Sequence, residues 1–224
     1  QLKTAGFAGD LWHRILYNLS FSVLILTESR LDLAYTFFSN ENSKGVPLSD
    51  FDILKAHHLR YIHIEEQAEH MAMRWNKMMS DNKEQLNKSI AKHLFRMRKW
   101  IRKRYYNPNA KRIVKDEFSA SPIIPEIPPF GESFNFNEKI QGGTHFFAFV
   151  KHFEYKYHLF VQTDEFKSIH KLDNRTHWWF RDVLETFLFA YYLKFGVDYL
   201  SEALLSISRI VLQFRFNYKR ADYS

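Results

Sequence analysis

Apolar and aromatic residues recur at spacings of three and four over much of this 224-residue chain, which is the period of an amphipathic α-helix. From Ser49 onward the pattern predicts one helix of about 30 residues, roughly 45 Å long. Its stripe consists of Leu54, His58, Tyr61, Ile64, Ala68, Met71, Trp75 and Met78. Asp81 and Glu84 have the spacing of a cap for a second helix. The stripe of that helix consists of Leu86, Ile90, Leu94, Met97 and Ile101.

The first of these helices has a well-marked N-terminus. Ser49 is a good N-cap, and Asp52 three residues later completes a capping-box pair. Leu48 and Ile53 have the spacing of a hydrophobic staple, and Gly45 suits a turn before the cap. Each of these residues therefore has a structural role that needs no chemistry.

Other elements are predicted on both sides of these helices. Residues 21–27 form a short, β-branched apolar run that indicates a buried strand, and residues 31–38 indicate a short helix. Residues 107–143 contain five of the six prolines and are predicted to be a long, mostly extended connection. It either wraps the surface or links two helical subdomains.

Three helices are predicted after the connection. An aromatic helix starts after Gly143, and a second runs over residues 177–194, with Thr176 as its cap and Gly196 as its C-terminal glycine. The last, in "VDYLSEALLSISRIVLQFRF", is apolar nearly all round and is expected to be central or covered.

Composition favours the same architecture. The chain is 46% apolar with only 7 Gly and 6 Pro, which favours long helices over a turn-rich β sandwich. We predict a mainly α fold, a multi-helix bundle-like array with a short N-terminal strand. The predicted boundaries are 1–48, 49–106, 107–143 and 144–224. The absence of cysteine excludes disulfides, thiolate zinc sites and cysteine nucleophiles.

Charge suggests one class of partner. The net charge of +7 permits a polyanionic partner such as DNA, and the run "KHLFRMRKWIRKRYY" concentrates cations with interleaved aromatic residues. Such a run can contact phosphates and stack on bases, or it can be a solvated face with aromatics packed behind it. The candidate contacts are Arg96, Arg98, Lys99, Arg102, Lys103 and Arg104.

No catalytic or metal-binding residue can be assigned from motifs. His63, Glu66 and His70 share a helical face but match no zinc-protease spacing, and we interpret them as polar positions. The segment 170–175 contains the His and Asn letters of a metal nuclease, yet its sequence context favours a polar loop. The chain contains no P-loop, Gly-x-Ser-x-Gly or Gly-x-Gly-x-x-Gly motif.

The N-terminus bears on location. Its first residues do not form a signal peptide, and no run reaches the ~20 apolar residues of a membrane span. The chain begins with Gln1 rather than Met, so we expect a piece of a longer, cytoplasmic protein.

The segment "AYTFFSNENSKGVPLSDFDILKAHHL" resembles the signature of the GmrS-like proteins, the family of the GmrSD-type modification-dependent (type IV) restriction enzymes. Family members read Ala, Phe, then Asn-x-[Arg/Lys]-Gly-x-x-Leu-Ser-x-x-Asp, two aliphatic residues and Lys. The corresponding positions here are Ala34, Phe38, Asn42, Lys44, Gly45, Leu48, Ser49, Asp52, Ile53, Leu54 and Lys55. Weaker similarities occur around Trp75 and Phe146.

The resemblance implies an α/β module of the ParB and sulfiredoxin type in residues 1–48, followed by a helical region. It also implies an NTP-dependent, DNA-targeting defence nuclease, with NTP and Mg²⁺ used by the full-length protein. The family's Asp-Gly-Gln-Gln-Arg-like run and its His-Asn-His module are absent from this sequence. We therefore expect no cofactor in this chain, which would supply a helical scaffold and part of a site wall, and we leave homo-oligomerisation open. The expected nucleotide or phosphate contacts are Asn42, Lys44, Gly45 and Lys55.

One alternative remains open. The chain would then be a non-catalytic helical module that binds nucleic acid or a protein partner through the basic helix 92–106.

Overall fold

The computed structural model describes residues 7–20, 25, 49–107, 113–119, 135–171 and 174–217. These residues are mainly helical, which confirms the mainly α prediction, and none of them lies in a strand. The helices are α1 (Phe7–Asn18), α2 (Asp50–Leu59), α3 (Glu65–Leu86), α4 (Phe95–Ile101), α5 (Ile113–Ser119), α6 (Thr144–Phe160), α7 (Asp164–His170), α8 (Asn174–Phe195) and α9 (Leu200–Asn217). A π-helical segment, Asn87–Leu94, joins α3 to α4.

The single helix predicted from Ser49 onward is wrong, because α2 ends at Leu59 and α3 begins at Glu65. The chain between them packs on a pair of glycines. A Cβ atom on Gly142 would lie 2.5 Å from Cδ2 of Tyr61, and Gly143 has φ +72°, a conformation that side chains rarely adopt. The segment between α2 and α3 therefore packs against two positions at which only glycine fits. Ile64 of the predicted stripe is exposed.

A second interruption lies close to its predicted position. Asn82 has φ −133° and ψ 28° inside α3, one residue after Asp81, so the helix kinks there and then continues. The stripe predicted beyond this point is buried at Leu86, Ile90, Leu94 and Met97, whereas Ile101 is exposed.

The connection 107–143 contains a helix that the sequence analysis did not predict. Helix α5 packs on α2, and Phe118 is completely buried. The Asp50 carboxylate accepts a hydrogen bond at 3.1 Å from the backbone N–H of Lys115, near the start of α5. This part of the connection is therefore core and not an extended linker.

The C-terminal helices follow the prediction with three corrections. Helix α8 begins at Asn174, so Thr176 lies inside it and is not its cap, and α7 was not predicted at all. Gly196 has φ +68° and its N–H donates to the carbonyl of Tyr192 at 2.8 Å, as a C-terminal glycine does. The expectation that the last helix is covered is wrong for one face of α9, where Leu205, Ile210 and Leu212 are exposed.

One hydrophobic cluster runs through the described helices from α2 to α9. Helix α6 contacts α2, α3, the π segment and α8, so it occupies the middle of the array. Its inner face is aromatic, with Phe146, Phe149 and Phe160 fully buried. Residues 11–20, which include most of helix α1, are exposed and do not belong to this cluster. The predicted strand 21–27, apart from an exposed Ile25, and the predicted helix 31–38 lie outside the described residues.

Candidate functional site

The residues predicted to contact a nucleotide fall at the edge of the described structure. Asn42, Lys44 and Gly45 lie outside the described residues. Lys55 is half-buried on α2, one turn beyond the capping box, and its ammonium donates to the side-chain oxygen of Asn76 on α3 at 2.7 Å. This hydrogen bond fixes one positive charge beside the helix junction.

The predicted capping box is present. The Ser49 hydroxyl accepts from the backbone N–H of Asp52 at 3.3 Å, and the Asp52 carboxylate accepts from the Ser49 N–H at 3.1 Å. The box begins α2 within the signature segment, whose last position, Lys55, lies on the same helix. Asp52 is thus occupied as a cap, while Leu48 of the predicted staple lies outside the described residues.

The basic run is mostly used inside the protein. Arg98 donates through Nε to Glu117 at 2.8 Å and through Nη1 to the carbonyls of Phe136 and Glu138. Arg102 and Lys99 also bind the Glu117 carboxylate, at 2.6 Å and 3.4 Å. Three of the six candidate phosphate contacts therefore hold α5 against α4.

Glu117 is the centre of this cluster. Burial raises the pKa of its carboxyl, but the hydrogen bond from Arg98 and the charges of Arg98, Arg102 and Lys99 outweigh burial, so the pKa is lowered. The carboxyl stays ionised and each cation keeps its partner. The buried carboxylate in the connection was not predicted, although the acidic pair Asp116–Glu117 beside Phe118 is visible in the sequence.

Arg96 is also removed from the surface. It is 1% exposed, its guanidinium lies 4.5 Å from the ring centroid of Tyr106, and Nη1 donates to the Asp182 carbonyl at 3.0 Å. Arg96 and Arg98 thus cannot reach a phosphate in this fold, which corrects their assignment as nucleic-acid contacts. Among the residues that the structure describes, Lys103 and Arg104 are exposed and have no ion pair, so they are the candidates that remain free.

The most polar site in the core joins the π segment, α6 and α8. His93 Nε2 lies 2.8 Å from Oε1 of Glu185, and the Tyr157 hydroxyl donates to the same oxygen at 2.5 Å. On the other side of the ring, Nδ1 of His93 lies 2.8 Å from the hydroxyl of Thr186. The hydroxyl also accepts from Arg96 Nη1 at 3.0 Å. We call these five residues the Glu185 network.

A neutral His93 donates its Nε2–H to Glu185. The Thr186 hydroxyl then has two acceptors at 2.8 Å, Nδ1 of His93 and the carbonyl of Asp182. Nε of Arg96 has no hydrogen-bond partner among the described residues. Burial lowers the pKa of His93 more than the neighbouring Glu185 raises it, in agreement with a neutral ring. The network therefore contains one cation, Arg96, and one anion, Glu185.

Glu185 is ionised despite its burial. Burial raises the pKa of a carboxyl, but hydrogen bonds from His170, His93 and Tyr157 outweigh this and hold the Glu185 pKa far below its usual range. Burial and the adjacent carboxylate raise the pKa of Tyr157, which keeps its proton. A lone carboxylate within the apolar run "VLETFLFAYY" was the sequence signal for this site.

The geometry makes the Glu185 network a structural one. Its carboxylate, hydroxyls and imidazole are hydrogen-bonded inside the protein, and none of its five residues lines three clefts formed by the described residues. His170, 3.4 Å from Glu185, has partial access to solvent, at 34% side-chain exposure. We therefore assign the Glu185 network a role in stability and in the specificity of packing.

The described residues provide neither a metal-binding group nor a membrane-spanning helix. They contain no group of three or more His, Asp or Glu side chains placed to hold a metal ion, and His63, Glu66 and His70 are each exposed. None of the described helices is both long enough and apolar enough to cross a membrane.

The comparisons with known proteins identify one similarity. A family model described as a family of unknown function (DUF7834) matches residues 125–224, which include α6 to α9 and three residues of the Glu185 network, Tyr157, Glu185 and Thr186. The match does not extend to the signature segment or to the basic helix. No curated protein and no solved structure matches the chain.

One buried histidine predicts how stability depends on pH. The ring of His58 stacks on the ring of Phe146, with the two centroids 3.7 Å apart, and its Nε2–H donates to the Phe118 carbonyl at 3.0 Å. Among the described residues, Nδ1 has no hydrogen-bond partner, so a second proton on this ring would find no acceptor. Burial, with the neighbouring His57, lowers the pKa of His58 to about 3.

Because the unfolded chain binds this proton near pH 6.5 and the folded chain only near pH 3, stability should fall as the pH drops through that window. We expect His58 to contribute a slope of ~1.4 kcal/mol per pH unit. Urea unfolding between pH 7 and 4 measures it, with His58→Gln as the comparison. The variant, which is less stable at pH 7, should lose less stability on acidification. Parallel curves for the two proteins would contradict this assignment.

Proposed function

We propose that this chain is the helical region of a GmrSD-like, NTP-dependent, DNA-targeting defence nuclease of the cytoplasm. In this proposal residues 1–48 belong to its ParB-like module, and the helices provide a scaffold and one wall of a nucleotide site. The chain holds no complete active site of its own. The proposal rests on the resemblance of residues 34–55 to the family signature.

One observation carries the proposal. The capping box, which is part of the signature, starts α2, and the Lys55–Asn76 hydrogen bond holds an ammonium group one turn beyond the box. A lysine is a flexible point charge that suits a phosphate. Here its position is restricted by α3 and by a helix anchored through Phe51 and Leu54, which are buried.

Lys55→Ala in the natural full-length protein should weaken the binding of MgATP or MgGTP by about tenfold or more, since a charge-assisted contact is lost. Asn76→Ala is the matched control, because it removes the hydrogen bond to Lys55 but keeps the ammonium group. Titration calorimetry measures both affinities. Unchanged affinity in Lys55→Ala would reject the role, and an equal loss in Asn76→Ala would make it purely structural.

A second candidate function is nucleic-acid binding through the exposed end of the basic helix. Lys103 has φ +53° where α4 ends, and its N–H bonds the Trp100 carbonyl while the N–H of Arg104 bonds that of Lys99. This is the helix ending at which glycine is usual. A lysine there costs stability, and this favours a role for its exposed charge, with Arg104 and the 60% exposed Tyr105 beside it.

Replacing Lys103 should separate stability from binding. Lys103→Gly should raise the free energy of unfolding by up to ~1 kcal/mol, because glycine adopts positive φ without strain, while it weakens DNA binding.

Lys103→Ala combined with Arg104→Ala should reduce the slope of log affinity against log salt by about 1.8 on a short DNA duplex. Lys167→Ala with Lys171→Ala, on exposed α7 positions, is the control and should leave that slope unchanged. An unaltered slope in the first pair would exclude this surface.

A further inference from the structure

A cleft of about 470 Å³ lies between α3 and α6, apart from every site described above. This volume falls within the range of sites for small ligands. None of the predicted nucleotide or nucleic-acid contacts lines it, and no residue of the Glu185 network does. Its occupant must therefore be argued from its own lining.

The floor of the cleft is apolar. Met71, Trp75 and Met78 supply it from α3 at spacings of four and three, and Phe147 and Ala148 supply it from α6. Trp75 and Phe147 are buried and meet edge to face, with ring centroids 5.4 Å apart. The two methionines are half-buried, and their unbranched side chains adapt to the shape of an apolar ligand. Such a floor accepts a hydrocarbon group.

The rim of the cleft is cationic. Arg74 and Lys77 extend from α3 and Lys151 from α6, and all three are exposed. Within the described part of the chain none of the three has an ion pair. Two carboxyl groups, Asp81 and Glu154, also line the cleft, farther along the same two helices.

The carboxyl groups do not cancel the rim charge. Glu154 accepts a hydrogen bond from the Gln85 amide at 2.8 Å, and burial raises its pKa. The three cations of the lining also outnumber its two carboxyl groups. The rim therefore keeps a net positive charge above an apolar floor.

We propose that this cleft binds an amphipathic anion, a molecule with a hydrocarbon body and a carboxylate or phosphate head. The body packs on Met71, Trp75, Met78 and Phe147, and the head meets Arg74, Lys77 and Lys151. Charge complementarity at the rim selects an anion over a cation of the same length. The site is independent of Lys55 and of the proposed nuclease function.

Calorimetry on the full-length protein tests the proposal with decanoate and decyl phosphate as probes, each below its micelle concentration. Saturable binding of either anion is expected, and the tighter one identifies the head group. Decyltrimethylammonium, which has the same body and the opposite charge, should bind at least about tenfold more weakly. No binding of either anion, or equal binding of the cation, would overturn the proposal.

Two variants locate the binding. Arg74→Glu combined with Lys151→Glu reverses the rim and should weaken decanoate binding by about tenfold or more. Lys83→Glu, an exposed charge reversal on α3 outside the cleft, should leave it within about twofold. Ala148→Phe fills the floor and should abolish binding while far-ultraviolet circular dichroism stays native. Equal affinities of wild type and the rim variant for decanoate would overturn the assignment to this cleft. Binding of an acidic amphipathic peptide, with no binding of either anion, would also overturn it.

Discussion

The packing of the described helices depends on the hydrogen bonds to the buried carboxylate of Glu185. It lies on α8 next to the fully buried Leu188 and Phe189, where an unpaired charge would cost several kcal/mol. His93 from the π segment and Tyr157 from α6 donate to it, so three elements must meet in one register to satisfy it. Aromatic packing alone tolerates many arrangements, whereas this network permits few.

The basic helix illustrates why composition is a poor guide to a binding surface. Arg96 and Arg98 look like phosphate contacts in the sequence, but they bind backbone carbonyls, and Arg98 also binds Glu117. An arginine can do this because its planar guanidinium has five donors and stays charged when buried. Of the six candidates in the basic run, Lys103 and Arg104 are exposed without an ion pair among the described residues, and the rim of the α3–α6 cleft carries three further exposed cations.

The parts of the fold that local chemistry determines could be predicted from the sequence. The Ser49–Asp52 capping box and the glycine ending at Gly196 follow from spacing and backbone preference, and both are present. The break between α2 and α3 has no local signal, since it depends on Tyr61 meeting a glycine pair about 80 residues away. The Glu185 network and the helix around Glu117 were missed for the same reason, as each is determined by partners distant in sequence.

An ionised Glu185 holds the core together, and a substitution at this one position tests that statement. Glu185→Gln keeps the shape of the side chain and removes its charge, which leaves the donors of His93 and Tyr157 poorly paired. Urea unfolding at pH 7 should show a loss of about 3 kcal/mol or more, against less than about 0.5 kcal/mol for Glu202→Gln on the exposed face of α9. Equal and small losses in the two variants would contradict the claim.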